Sequence, residues 1–194
     1  MSALFDFSVF PTLYSRRLVL REFRTDDADD VFAIRGDLMV TRYNSGKPYE
    51  RVEQAVDLIA AMARAYRDQE EVRWAITHRG SNEVIGIIGY NYWIRRDARG
   101  SVGYDLARVW WGRGIMTEAV NAVVRFGFDQ MHLNRIEADT DVRNPASGRV
   151  LEKVGFVLEG RQREQFYDSG GYQDLMLYGL LRKDYLAASP PQGA

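Results

Sequence analysis

The sequence predicts an α+β protein, and three features predict it. Two apolar runs, Trp74-Ala75-Ile76 and residues 84–90, flank the turn-forming Arg79-Gly80-Ser81-Asn82, as the strands of an antiparallel hairpin would. Within residues 50–69, Val52, Val56, Ile59, Met62 and Tyr66 recur at three or four positions, which describes a long amphipathic helix. At Gly112 and Gly114 a strand period gives way to a helix period.

The remaining elements follow in order. Leu18-Val19-Leu20-Arg21 alternates weakly as a strand, and Thr25 precedes an acidic first turn (Asp26, Asp27, Asp29, Asp30) that leads into Val31, Phe32 and Ile34, a helix. A further strand is expected at residues 101–106. Beyond Gly114, Ala119, Val120, Val123, Val124 and Phe126 to Phe128 describe a helix of about three turns. Residues 135–140 alternate again. Asn144 then offers an N-cap with Pro145 at the first helical position, and Gly155 supplies the residue that ends the helix. Residues 156–158 and 174–181 read as closing strands. The segment AASPPQGA, 187–194, reads as a flexible tail behind a single domain, 1–186.

Composition narrows the function. A chain of 194 residues supports one sizeable core more readily than two. Lys and Arg (26) nearly balance Asp and Glu (27), so no overall basic field exists to hold nucleic acid, and a small-molecule or peptide partner is expected. The sequence has no cysteine, which excludes disulfides, thiolate metal sites and a cysteine-bound acyl intermediate. No leader-like segment opens the chain and no apolar run approaches a membrane span, so a cytoplasmic protein without membrane attachment is expected. His78 and His132 lack the spacing of a ligand set, and no metal is expected.

The chemistry concentrates in residues 103–119, GYDLARVWWGRGIMTEA. Two glycines and a basic residue stand between an apolar strand and a helix start. Unpaired N–H groups of the first helical turn and the positive end of the helix dipole favour an anion there. A tight turn alone would also use Gly-x-Gly. The Rossmann pattern fails at Thr117 and no GK[ST] follows, so a phosphate-bearing group outside those two nucleotide classes is indicated.

The second stretch is residues 144–156, NPASGRVLEKVGF. Together with the upstream glycine turn, it resembles the GNAT superfamily of acetyltransferases, whose members pair a [QR]-x-x-G-x-[GA] turn with a later N-x-x-[AS]…G-F helix and strand. GYDL, WWGRG, TEA, the N-x-x-S-x-R-V-L-E-K-V-G-F helix, Glu159-Gly160 and Gly171-Tyr172-Gln173-Asp174 are similar to its Rim-type branch, which includes ribosomal-protein N-terminal acetyltransferases. The match covers roughly residues 16–183. The resemblance implies a mixed, mostly antiparallel sheet of about seven strands flanked by helices.

It also implies roles. Trp111, Gly112, Arg113, Gly114, Ile115, Met116 and Thr117 would bind the pyrophosphate of acetyl-CoA, the cosubstrate, largely through backbone groups. Asn144 would hold the pantetheine arm, and the Leu106 N–H would bind the thioester oxygen. Arg113 and Arg149 would add positive charge near phosphate or form a solvated face. Departures accompany the matches: Val109 stands where the general pattern has Gln or Arg, and Trp111 where many members have Arg. Leu151 occupies the position of the tyrosine that many members use to protonate the thiolate. Ser147, which the Rim-type branch is thought to use instead, is either that acid or an ordinary small helix residue.

The expected reaction is direct, sequential acetyl transfer to a primary amine, with no acyl-enzyme. The resemblance implies a protein or peptide N-terminus as the first acceptor; an α-amine with pKa about 8 loses its proton readily, so a weak base suffices there, whereas a lysine amine at about 10.4 needs roughly 4 kcal/mol of help. A small amine (aminoglycoside, polyamine or amino acid) is the alternative. A CoA-binding module without catalysis is a third reading, motivated by Leu151. Asp105, Glu137, Glu159, Glu164 and Asp174 are candidate bases, with strand register undetermined. Tyr90, Tyr92, Trp93, Tyr167 and Tyr172 could line an acceptor groove, pack in the core or form a dimer surface; a homodimer stays open. Glu118 reads as a first-turn charge that complements the helix dipole. Acceptor specificity is expected from the loop at 44–48, from residues 90–100 and from the last hairpin.

Overall fold

The computed structural model describes residues 5–43, 47–168 and 170–188. Eight strands form one sheet in the order β1-β2-β3-β4-β5-β6-β8-β7. These are β1 Leu13–Tyr14, β2 Leu18–Arg21, β3 Val72–His78, β4 Val84–Ile94, β5 Arg99–Leu106, β6 Arg135–Asp141, β7 Val157–Asp168 and β8 Gly171–Leu181. The helices are α1 Ala28–Arg35, α2 Leu38–Thr41, α3 Glu53–Arg67, α4 Ile115–Asp129, α5 Pro145–Val154 and α6 Arg182–Ala188. The two-residue β1 is the strand beyond the expected seven; it pairs with β2 through Leu13↔Leu20.

Every pairing is antiparallel except β5 with β6. A parallel neighbour needs a crossover, and α4 supplies it. Alternation along the central strands divides the core between the two faces of the sheet. Trp74, Ile76 and Ile88 pack with Val120, Val123 and Phe128 of α4. Ile87, one position from Ile88, packs instead with Val31 of α1 and with Ala55, Ile59 and Met62 of α3. Tyr90 runs beneath α4 and its hydroxyl donates to Val123 O at 3.0 Å. A Cβ on Gly127 would lie 2.0 Å from that phenol oxygen, so Gly127→Ala forces α4 off the sheet.

Several expected elements change in extent. The stripe of α3 is Ala55, Ile59, Met62 and Tyr66, while Val56 is 49% exposed, because the helix turns it away from the sheet. The α4 helix has 15 residues, one turn more than the periodicity suggested. The last hairpin is much longer than the apolar residues marked: β7 spans 12 residues, starts after Phe156 and carries the polar run Arg161 to Gln165. The expected tail overlaps α6, which continues through Ala188; residues 189–194 lie outside the described residues.

Candidate active site

The sheet divides where β5 and β6 part. They pair only through Arg99↔Arg135, Gly100↔Ile136 and Ser101↔Glu137. Beyond that point Val102 to Leu106 and Ala138 to Asp141 line opposite sides of a cleft of about 770 Å³. At its inner edge Ala107 N–H donates to Ile85 O at 2.9 Å, so the adjacent opposed pair Gly86↔Leu106 is a non-bonded pair of the antiparallel ladder. The Leu106 N–H therefore points away from β4, toward the side where β6 has left. Its carbonyl, on the same side, accepts Trp111 Nε1–H at 2.8 Å.

The turn into α4 forms one wall. Gly112 and Gly114 both have φ +71°, the left-handed region that a Cβ disfavours, and Gly114 is the N-cap of α4. The cap contributes no side chain, which leaves the first-turn N–H groups of Ile115, Met116 and Thr117 as donors without helical partners. Trp111, Gly112, Gly114, Ile115, Met116 and Thr117 all line the cleft. Arg113 does not. It lies over the Trp110 ring at 5.2 Å, and its carbonyl accepts Arg17 Nη1–H at 3.0 Å.

Glu118 holds this turn to the β1–β2 corner, a role beyond the dipole complement expected of it. Its carboxylate accepts Arg17 N–H at 2.7 Å, Arg17 Nε–H at 2.6 Å and Ser15 Oγ–H at 2.8 Å. Burial pushes its pKa up, but the Arg17 backbone, the Ser15 hydroxyl and the Arg17 guanidinium together hold it below the ordinary value.

Helix α5 forms the opposite wall and follows its local sequence. Asn144 Oδ1 accepts Ser147 N–H at 3.3 Å, Pro145 occupies the first turn, and Gly155 closes the helix at φ +104°. Asn144, Ser147 and Arg149 line the cleft, as does Lys153, one turn beyond Arg149 on the same face. Ser147 Oγ lies 2.8 Å from the Tyr104 hydroxyl of β5. Leu151, where the resemblance led to a tyrosine being looked for, is fully buried in the main core and offers no hydroxyl to the cleft.

Register settles which carboxylates face the cleft. Glu137 is held by Tyr92 at 2.6 Å, Arg135 at 2.7 Å and Arg99 at 3.0 Å, outside the cleft. Glu159 pairs with Arg135 at 2.8 Å. Asp174 pairs with Arg161 and accepts Glu164 N–H at 2.8 Å, where Glu164 sits exposed on a bulge at φ +53°. Of the expected bases only Asp105 lines the cleft, and it is bound to Arg35 at 2.7 Å. Two aspartates of β6 join it. Asp141 accepts Arg143 N–H at 2.8 Å and pairs with the Arg143 guanidinium. Asp139 has no cation partner among the described residues. Its side chain is exposed to the cleft, and the protein around it still removes enough hydration to raise its pKa above the ordinary aspartate value. Sequence reading passed over it because strand alternation alone does not say which face of β6 is open.

Residues 17–157 match the family described as the acetyltransferase (GNAT) domain. The chain belongs to the GNAT acetyltransferase family. YoaA of Bacillus subtilis, named an uncharacterized N-acetyltransferase, is 34% identical over 174 residues, covering 90% of this chain and 98% of YoaA. The ribosomal protein uS5-alanine N-acetyltransferase of Escherichia coli is 30% identical over 104 residues, 53% of this chain and 54% of the relative. The crystal structure of spermidine N-acetyltransferase from Vibrio cholerae in complex with CoA and spermine has a TM-score of 0.78 at 23% identity, across 89% of this chain and 99% of the other. This GNAT protein is an N-acetyltransferase, and its relatives include members of the Rim-type branch that its motifs resemble.

None of the aromatics considered for an acceptor groove lines the cleft. Tyr90 is buried under α4, and Trp93 packs against Phe7 at 5.8 Å. Tyr92 bonds Glu137, and Tyr167 and Tyr172 pack on each other at 5.3 Å in the exposed hairpin. Tyr43, at the end of α2, and Phe166, beyond the β7 bulge, line the cleft instead. Of the expected specificity loop at 44–48, residues 44–46 lie outside the described residues. No helix among the described residues is long and apolar enough to cross a membrane, and among them no group of His, Asp and Glu could hold a metal.

Proposed function

We propose that this enzyme transfers the acetyl group of acetyl-CoA directly to the α-amine of a peptide or protein N-terminus. The observation that carries the reading is the charge balance of the cleft. Among the described residues, the cleft-lining Asp105 and Asp141 are neutralised by Arg35 and Arg143, whereas the cleft-lining Asp139 has no cation partner. One uncompensated carboxylate suits one amine; a polyamine needs several.

The residues fit the cosubstrate. First-turn N–H groups of α4 donate to the pyrophosphate, and Arg149 and Lys153 face the same space with positive charge. The split between β5 and β6 admits the pantetheine arm beside Asn144. The Leu106 N–H donates to the thioester oxygen as negative charge develops on it. Asp139 takes the proton of the attacking amine, directly or through one water, and the loss of hydration that raises its pKa makes it a better proton acceptor than an ordinary aspartate. The new N–C bond forms as the C–S bond breaks, and the electron pair leaves on sulfur. A CoA thiol with pKa near about 8.5 leaves as a thiolate with only a hydrogen bond from the Ser147 hydroxyl.

Thiol release measured with acetyl-CoA against unblocked peptides, spermine, an aminoglycoside and free amino acids tests the assignment. Turnover on unblocked peptides, abolished by N-terminal blocking, is expected. Turnover confined to spermine or another small amine overturns it, and CoA binding without turnover on any acceptor points to a non-catalytic module.

A further inference from the structure

We infer that Tyr104 is a positioning residue that aims the Ser147 hydroxyl hydrogen at the departing sulfur. The inference rests on the role of Ser147 proposed above. Tyr104 stands on β5 at the point where the strand has parted from β6, and its phenol crosses the gap to α5. It has two partners there: Ser147 Oγ at 2.8 Å and Ser147 O at 3.3 Å. The carbonyl can only accept, so the direction of the Oγ bond depends on where the phenol hydrogen goes.

Two arrangements exist. If the phenol donates to the carbonyl, the serine must donate to the phenol oxygen, and its hydrogen turns away from the cleft. If the phenol donates to Oγ, the serine hydrogen is free to reach the sulfur. The second uses the shorter contact, which has the length of a good O–H···O bond, whereas 3.3 Å is long for one.

Tyr104 then acts without losing its proton. Burial pushes its pKa far above the ordinary phenol value, so a tyrosinate does not form as the thiolate leaves. The phenol stays a donor and makes Ser147 Oγ–H a stronger donor in turn, as hydrogen bonds in a chain polarise one another. Ser147 of α5, aimed by Tyr104 of the sheet, thereby supplies the hydroxyl that Leu151 lacks.

The test compares Tyr104→Phe, Ser147→Ala and the double variant with acetyl-CoA and with the acetyl selenoester of CoA, whose selenolate leaves without assistance. With acetyl-CoA, kcat of Tyr104→Phe should fall about 3- to 10-fold, the worth of one hydrogen bond, with KM for acetyl-CoA unchanged. With the selenoester the loss should vanish. The double variant should be no slower than Ser147→Ala, because the two groups act as one unit. Equal losses with both donors, or additive losses in the double variant, would show a mere brace between β5 and α5 and overturn the inference. An undiminished Ser147→Ala overturns the role of Ser147 itself, whereas an impaired Ser147→Ala beside an undiminished Tyr104→Phe overturns only the inference. Should Tyr104→Phe not fold, fluorotyrosine at position 104 keeps the ring and strengthens the donor. Its kcat with acetyl-CoA should then rise, and an unchanged kcat overturns the inference.

Discussion

The two ends of the cleft are made differently. The end proposed to hold acetyl-CoA uses two local devices: the Trp111–Gly114 corner feeding α4, and the Asn144 cap feeding α5. Both write a helix N-terminus into a few consecutive residues. The end proposed for the acceptor gathers Tyr43, Asp105, Asp139 and Phe166 from the turn after α2 and from β5, β6 and β7, which only the fold brings together. Helix ends fixed by backbone geometry suit a constant ligand, whereas side chains on separated elements can vary one at a time. The difference teaches where cofactor identity and acceptor choice reside.

Substitutions at the two ends should therefore fail in different ways. The largest effect is expected at the acceptor end. Asp139→Asn should lower kcat/KM about 100- to 1000-fold while acetyl-CoA binding, measured by calorimetry, stays unchanged. A matching loss of acetyl-CoA affinity would erase the distinction. The pH profile sharpens it. Asp139 must be ionised to accept the proton, and its pKa is raised, so the acidic limb of kcat/KM should lie above the ordinary aspartate value of about 3.9 and disappear in Asp139→Asn.

Next comes the anchor of the donor end. Glu118→Gln should cost about 1–3 kcal/mol of stability at neutral pH, since three donors lose an ionised acceptor. The folded-state pKa of Glu118 is lowered, so its contribution is present above the unfolded carboxylate value of about 4.3 and is lost as pH falls through the depressed one. Wild type and variant should converge in thermal midpoint toward strongly acidic pH; a constant gap across that range contradicts the assignment.

Gly114→Val places a branched side chain at φ +71° and should cost about 1–2 kcal/mol, raising KM for acetyl-CoA with little change in KM for the acceptor. The smallest effect belongs to Lys153→Ala. Its exposed ammonium should contribute a two- to fivefold change in acetyl-CoA KM, roughly the worth of a surface charge contact, and the change should shrink at high salt.

Legibility in the sequence followed the same division. The cap and proline that open α5 and the glycine that closes it lie within one short stretch of chain, so the helix could be read in full. The Gly112 and Gly114 turn was equally readable, yet what holds it was not: the Arg17 backbone N–H that binds Glu118 lies 101 positions away. Asp105 was among the candidate bases but could not be told from the other four, and Asp139 was beyond period-two reasoning, because the open face of β6 exists only after β5 diverges from it. The length of β7 was hidden by Arg161-Gln162-Arg163-Glu164-Gln165, a polar run on an edge strand exposed on both faces that lacks apolar alternation. Tyr104 stood in the GYDL motif without a role, since its partner is in α5, across the gap.

The central claim is that a single α-amine is delivered to Asp139. A peptide carrying both a free N-terminus and a lysine side chain, incubated with acetyl-CoA and enzyme and then sequenced by tandem mass spectrometry, tests it most directly. The acetyl group should be found on the α-nitrogen, with the lysine untouched. Acetyl on the lysine alone, or an unmodified peptide from an enzyme that acetylates spermine in the same tube, would contradict the claim.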